Sequence, residues 1–157
     1  MAVISTATAK TVNPAFLQEI KDSNPDLWTV AENLRRAYRA DGEPTEVLRR
    51  LTRLLNDLRD ALSLQFSLEE SYGYIAVPEP HNEAFSDLAI KVAAEHGTLY
   101  LMISDLAEQA EELQYRGVQN DHLCRLIEQT RQFDRLWCEH ERLEADMIDQ
   151  SFDSINR

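Results

Sequence analysis

Five polar side chains stand where helical apolar stripes would otherwise run unbroken. Leu51, Leu55, Leu58 and Leu62 follow one helix face, and the next steps along it land on Gln65, Glu69 and Tyr72. A second stripe, Phe85, Leu88, Val92, Leu99, Ile103, Leu106 and Ala110, is interrupted by His96. A third, Leu123, Leu126, Thr130, Phe133, Trp137, Met147 and Ser151, is interrupted by His140 and Glu144, one turn apart on the same face. A carboxylate on a core stripe is costly unless it is paired, protonated or bound to a cation. Histidine and carboxylate converging from several helices suit iron, zinc or manganese. A buried hydrogen-bonded layer is the other arrangement that satisfies such groups.

These side chains need helices to position them, and the helix signals are explicit. Asn24 with Pro25 starts a helix expected to run to about Ala40, before Asp41 and Gly42. A second begins near Pro44 and reaches about Tyr72, before Gly73. A third, capped by Asn82 or Ser86, ends near Tyr115 before Gly117. The fourth begins near Asn120 and reaches about Phe152. A short helical turn over Pro14 to Asp22 precedes them, "GYIAVPEPHN" reads as a loop, and "MAVISTATAKTV" reads as a mobile tail. The expected organisation is a tail over residues 1–23 and a four-helix bundle over 24–157, all-α, antiparallel and up-and-down. With Gly117 as the turn, His96 lies 21 residues before it and His140 lies 23 after it. At about 1.5 Å per residue, that places both imidazoles within roughly one turn of the same height.

Composition narrows the function. The hydrophobic fraction of 43% over 157 residues is enough for one domain with a real core. A net charge of −12 argues against nucleic acid and anionic membranes, which need clustered Lys and Arg. No stretch is long and apolar enough to span a membrane. If Cys124 and Cys138 share a helix they are about 21 Å apart, too far for a disulfide. They read as buried thiols in a reducing cytoplasm. His81 and His122 read as solvent-facing, and Tyr72, Tyr74 and Tyr115 as rings covering the core rim. "AEQAEEL" reads as a solvated acidic face, and Trp137 and Met147 as core. Gly-rich phosphate loops and Gly-x-Ser-x-Gly, Cys-x-x-Cys and His-Glu-x-x-His patterns are absent, and no nucleophile–base pair is visible. An enzyme therefore has little support.

With "QFSLEES", "EHGTLYLMISDL" and "CEHERLEADMIDQSF" in this order, the chain resembles the hemerythrin-like (HHE cation-binding) domains from about Leu27 to Phe152. That resemblance implies four helices around a non-haem di-iron centre held by histidines and two bridging carboxylates. It assigns Glu69 to the carboxylate of the second helix, His96 to the histidine of the third, and His140 with Glu144 to the pair of the fourth. It also exposes departures. Gln65 stands where a histidine is expected, Ala31 (beside Glu32) takes the first-helix position, and Tyr100 replaces an optional second histidine. A glutamine amide oxygen is a poorer ligand than imidazole, and alanine is none. Gln65 and Tyr100 are thus weak or outer ligands at best. The four remaining ligands could hold iron, as a di-iron or mononuclear centre, for sensing oxygen or another small molecule or for sequestering iron. The alternative is a metal-free helical interaction or structural module that has lost the centre and works through its surface, as a homodimer or with a protein partner.

Overall fold

Two Asn-Pro pairs in the first third of the chain both start helices. The computed structural model describes residues 9–79 and 82–155. The Asn13 side chain accepts from the Phe16 amide (3.0 Å) and opens α1, Pro14–Asp22; Asn24 accepts from the Leu27 amide (3.3 Å) and opens α2, Pro25–Arg39. In each case proline takes the first position, where its missing N–H costs nothing. Glu43 caps α3, Pro44–Leu68, through the amides of Thr45 and Glu46. Asn82 caps α4, Glu83–Arg116, and α5 spans Asn120–Ile155. Gly117 ends α4 at φ 103°, a conformation that favours glycine. The fold is all-α, with five α-helices among the described residues and one short ribbon. Packing runs α2 on α3, α3 on α4 and α4 on α5.

The ends of the second expected helix and of the expected tail differ from the sequence reading. The helix does not run on as α to Tyr72: residues Glu69–Gly73 form a π turn, in which the Tyr74 amide reaches back to the Glu69 carbonyl. The wider turn advances the inward face beyond its α-helical position. Tyr72, expected on the core face, is therefore 60% exposed, while Tyr74 is buried. The expected loop at 74–77 is instead a strand, β2 (Tyr74–Val77), paired antiparallel with β1 (Ala9–Val12) from Val12↔Tyr74 to Ala9↔Val77. Residues 9–12 of the expected mobile tail thus form a strand. The ribbon satisfies backbone groups that neither segment satisfies alone, and the Lys10 amide adds a bond to Ser86 Oγ (2.9 Å). Beyond it, α1 packs on α5 and the π turn with Leu17 fully buried. Residues 1–8 of the expected tail, and His81, lie outside the described residues.

Two apolar clusters sandwich the polar residues. The larger includes Leu27, Leu34, Leu48, Leu51, Leu55, Leu58, Leu62, Leu99, Phe133 and Trp137; the smaller includes Val12, Leu17, Tyr74, Val92, Ala93 and Met147. Along α4, His96 falls between Ala93 of one cluster and Leu99 of the other. Along α5, His140 and Glu144 fall between Trp137 and Met147. Burying each large aliphatic side chain contributes roughly 1.5–3 kcal/mol, so the clusters on either side fix the polar layer in place. Away from that layer, Arg35 grips Asp134 through Nε (2.9 Å) and Nη2 (2.9 Å), and the Tyr38 hydroxyl donates to the same carboxylate (2.8 Å).

The cysteines correct the sequence reading, since Cys124 and Cys138 are both exposed. The inward face of α5 is set by Leu123, Leu126, Phe133 and Trp137, which leaves each cysteine beside the face rather than on it. Tyr115 is 94% exposed and covers no rim. His122 is exposed, and the acids of the 107–113 segment face out while its Ala107, Ala110 and Leu113 are buried, as the pattern predicts.

Candidate metal centre

The π turn, α4 and α5 deliver Glu69, His96, His140 and Glu144 to one point. One ligand atom from each lies within 4.8 Å of all the others, and all four residues are buried. The two imidazole rings are 4.8 Å apart, consistent with the equal heights read from the spacing about Gly117. Phe66 stacks on His96 at 4.3 Å and Tyr74 meets its edge, which fixes the ring plane.

Each imidazole is held from behind by a carboxylate. His96 Nδ1 donates to Glu70 Oε1 (3.0 Å), and His140 Nδ1 donates to Glu95 Oε1 (3.0 Å). A carboxylate behind Nδ1 sets the tautomer and turns Nε2 toward the centre, as outer partners do for metal-bound histidines. His96 Nε2 stands 3.2 Å from Glu69 Oε1 and 3.2 Å from Glu144 Oε2. His140 Nε2 stands 3.1 Å from Glu144 Oε1. The His96–Glu144 approach is a hydrogen bond, but the other two are misaligned. Glu69 Oε1 and His140 Nε2 are consequently buried without a hydrogen-bond partner. Such atoms are costly, and both are suited to a cation.

A positive group already sits beside them. Lys21, near the end of α1, donates from Nζ to Glu69 Oε2 (3.0 Å), Glu144 Oε1 (2.7 Å) and Glu141 Oε2 (2.7 Å). The Tyr74 hydroxyl donates to Glu144 Oε2 (2.7 Å). Gln65 is buried but is not turned as a ligand. Its amide nitrogen donates to Glu69 Oε2 (2.9 Å) and its oxygen accepts from Asn24 Nδ2 (2.9 Å). The Asn24 oxygen is committed to capping α2, so its nitrogen must face Gln65, and the Gln65 nitrogen must then face Glu69. One helix cap thereby orients a carboxylate of the centre.

The charges are mutually reinforcing. Burial alone would lower the His96 pKa, but the surrounding carboxylates of Glu144, Glu69 and Glu70 override it and raise it from 6.5 to about 11. His140 is likewise raised against its burial, chiefly by Glu144. Burial opposes the charge of Glu144, yet His140, His96 and Lys21 hold it well below 4.5. Glu141 is raised by burial and by the neighbouring carboxylates, with Lys21 pulling the other way. Burial lowers Lys21, but Glu144, Glu141 and Glu69 more than compensate and raise it.

Ala31 packs in the leucine core and Glu32 beside it is exposed; from before α3, Lys21 bonds Glu69 and Glu144 directly and Asn24 bonds Gln65. Tyr100 is partly exposed in a surface cleft with Ser63, Ser67 and Gly97. Sequence reasoning missed Lys21, Tyr74, Glu141 and the carboxylates Glu70 and Glu95. Lys21 did leave a signal, because it lies one helical turn after Leu17 on the buried face of the short helix. No helix among the described residues is long and apolar enough to cross a membrane. No family model, curated protein or solved structure matches the chain.

Proposed function

We propose that the chain is a metal-binding protein of hemerythrin type, in which Glu69, His96, His140 and Glu144 hold a transition-metal ion, with iron the first candidate. The carrying observation is the pair of buried, unpartnered atoms, Glu69 Oε1 and His140 Nε2, set among donors that converge within 4.8 Å. The carboxylates behind both imidazoles add support. So does the donor set, since two nitrogens and two carboxylates suit iron, zinc or manganese. In this reading α2 to α5 form an antiparallel up-and-down bundle, which the short α2–α3 and α4–α5 connections and the sequential packing favour. Iron with an open position would supply dioxygen-binding or redox chemistry. The protein's own groups would orient the ligands and keep them among apolar side chains. The cleft beside Tyr100 has His96 in its wall, which suits access by a small molecule for sensing, or by the ion itself for sequestration.

A second reading, a metal-free structural or interaction module, is favoured by one observation: Lys21 already bonds three carboxylates. Protein purified without chelator, examined by elemental analysis and absorption spectroscopy and then melted with EDTA or with Fe2+, separates the two. A hundredfold excess of Fe2+ over its Kd should stabilise the fold by about 2.7 kcal/mol, and His140→Ala should abolish the gain. Equal melting temperatures with and without metal would favour the metal-free module.

A further inference from the structure

We infer that the Lys21 ammonium fills the place of a second metal ion, so that the centre takes one divalent cation per chain, on its imidazole side. This rests on the metal-binding reading above.

The geometry of the two central carboxylates carries the inference. Glu69 and Glu144 each divide their oxygens between two positive positions. Glu69 Oε2 and Glu144 Oε1 lie 3.0 and 2.7 Å from Lys21 Nζ. Their other oxygens, Glu69 Oε1 and Glu144 Oε2, both stand 3.2 Å from His96 Nε2. A carboxylate with one oxygen on each of two cations has the arrangement of a bridge. Here one of the two cations is an ammonium. Of the unpartnered atoms, Glu69 Oε1 faces His96, and His140 Nε2 stands 3.1 Å from Glu144 Oε1, the oxygen that also accepts from Lys21. On the other side Lys21 reaches a third carboxylate, Glu141 Oε2, at 2.7 Å.

Lys21 is built in rather than a surface side chain that has folded inward. It is buried, and its carbonyl accepts from the Trp28 indole (3.0 Å). One turn earlier, Leu17 packs so closely on Gly73 that a Cβ there would lie 2.7 Å from Leu17 Cδ1. The Trp137 indole donates to Glu141 Oε1 (3.2 Å), which leaves Glu141 Oε2 for the ammonium. A second divalent ion would have to displace a group anchored at its backbone and held by three carboxylates. Without the ammonium, those carboxylates present oxygen donors that suit a divalent ion.

The test is a count of metal per chain. The full chain and its Lys21→Met variant are loaded anaerobically with excess Fe2+, desalted, and measured by elemental analysis and native mass spectrometry. We expect one iron in the parent and two in Lys21→Met. Two irons in the parent, or one in both proteins, overturns the inference while leaving the metal-binding reading intact. No iron in either protein overturns both. If Lys21→Met does not fold, Lys21→Gln removes the charge while keeping a hydrogen-bond donor and serves for the same count; the parent value tests the inference by itself.

Discussion

Replacing Glu144 with glutamine should expose how much of the fold depends on the central charge layer. The parent carboxylate is fully buried and accepts from Lys21 (2.7 Å), Tyr74 (2.7 Å) and His96 (3.2 Å). Glutamine keeps the shape and one acceptor oxygen. Its amide nitrogen must then face a donor, either Lys21 on one side or Tyr74 and His96 on the other. Removing one partner of a buried ion pair costs about 3–5 kcal/mol, because the opposite charge is left uncompensated. For a chain of this size that corresponds to a melting temperature lower by roughly 6–20 °C. The assay is urea unfolding of parent and Glu144→Gln in EDTA at pH 7, repeated toward acid. The Glu144 pKa is depressed well below 4.5 in the fold. Its contribution is therefore complete above that value and is lost as pH falls through the depressed one. The gap between the proteins should hold at neutral pH and close in acid. A gap below about 1 kcal/mol at pH 7, the size of one ordinary hydrogen bond, would refute the reasoning, as would a gap that persists undiminished in acid.

Metal-free protein should lose stability as pH rises from about 6.5 toward 11, because above about 6.5 the unfolded chain releases the His96 proton while the fold, with the pKa raised to about 11, still has to hold it. Calorimetry in EDTA from pH 6 to pH 10 would check this, and a flat profile after fitting would count against the charge layer. Gly117→Ala should cost about 1–3 kcal/mol by forcing a side chain into the positive-φ conformation that ends α4, measured by chemical unfolding. Gly73→Ala should cost about 1–3 kcal/mol by overpacking, since its Cβ would lie 2.7 Å from Leu17 Cδ1. Because Leu17 and Lys21 share a face of α1, the same variant should also change iron occupancy.

The helices were legible because their signals are local. Asn24-Pro25, Asn82 and Gly117 mark boundaries, and the leucine stripes state which faces turn inward. The convergence of Glu69, His96, His140 and Glu144 was legible for a related reason, since each interrupts a stripe whose burial the neighbouring residues already require. What was not legible depends on partners distant in sequence. β1 and β2 are four residues each, and their pairing joins segments more than sixty residues apart. The π turn adds to an apparently regular helix, and that one irregularity exchanges Tyr72 for Tyr74 at the inner face. Lys21 lies on a short helix that carries few signals of its own. Its destination follows only once α1 is docked against α5 and the π turn.

Lys21 also bears on the nitrogen donors that the proposed centre lacks at positions 31 and 65. The inner cluster holds three carboxylates, Glu69, Glu141 and Glu144, and one ammonium. Charge balance then requires two more positive charges in a dry environment where unbalanced charge is costly. Two imidazolium groups, His96 and His140, supply them in one state. One divalent ion with both imidazoles neutral supplies them in another, and metal ligation requires the neutral form. A pair of divalent ions beside Lys21 would overshoot the balance by two charges. Gln65 and Ala31, which offer no nitrogen donor, are therefore consistent with a centre of one ion and one lysine. In such a centre, a histidine at position 65 would displace the amide that holds Glu69 without gaining a second ion to bind, unless Lys21 were removed as well.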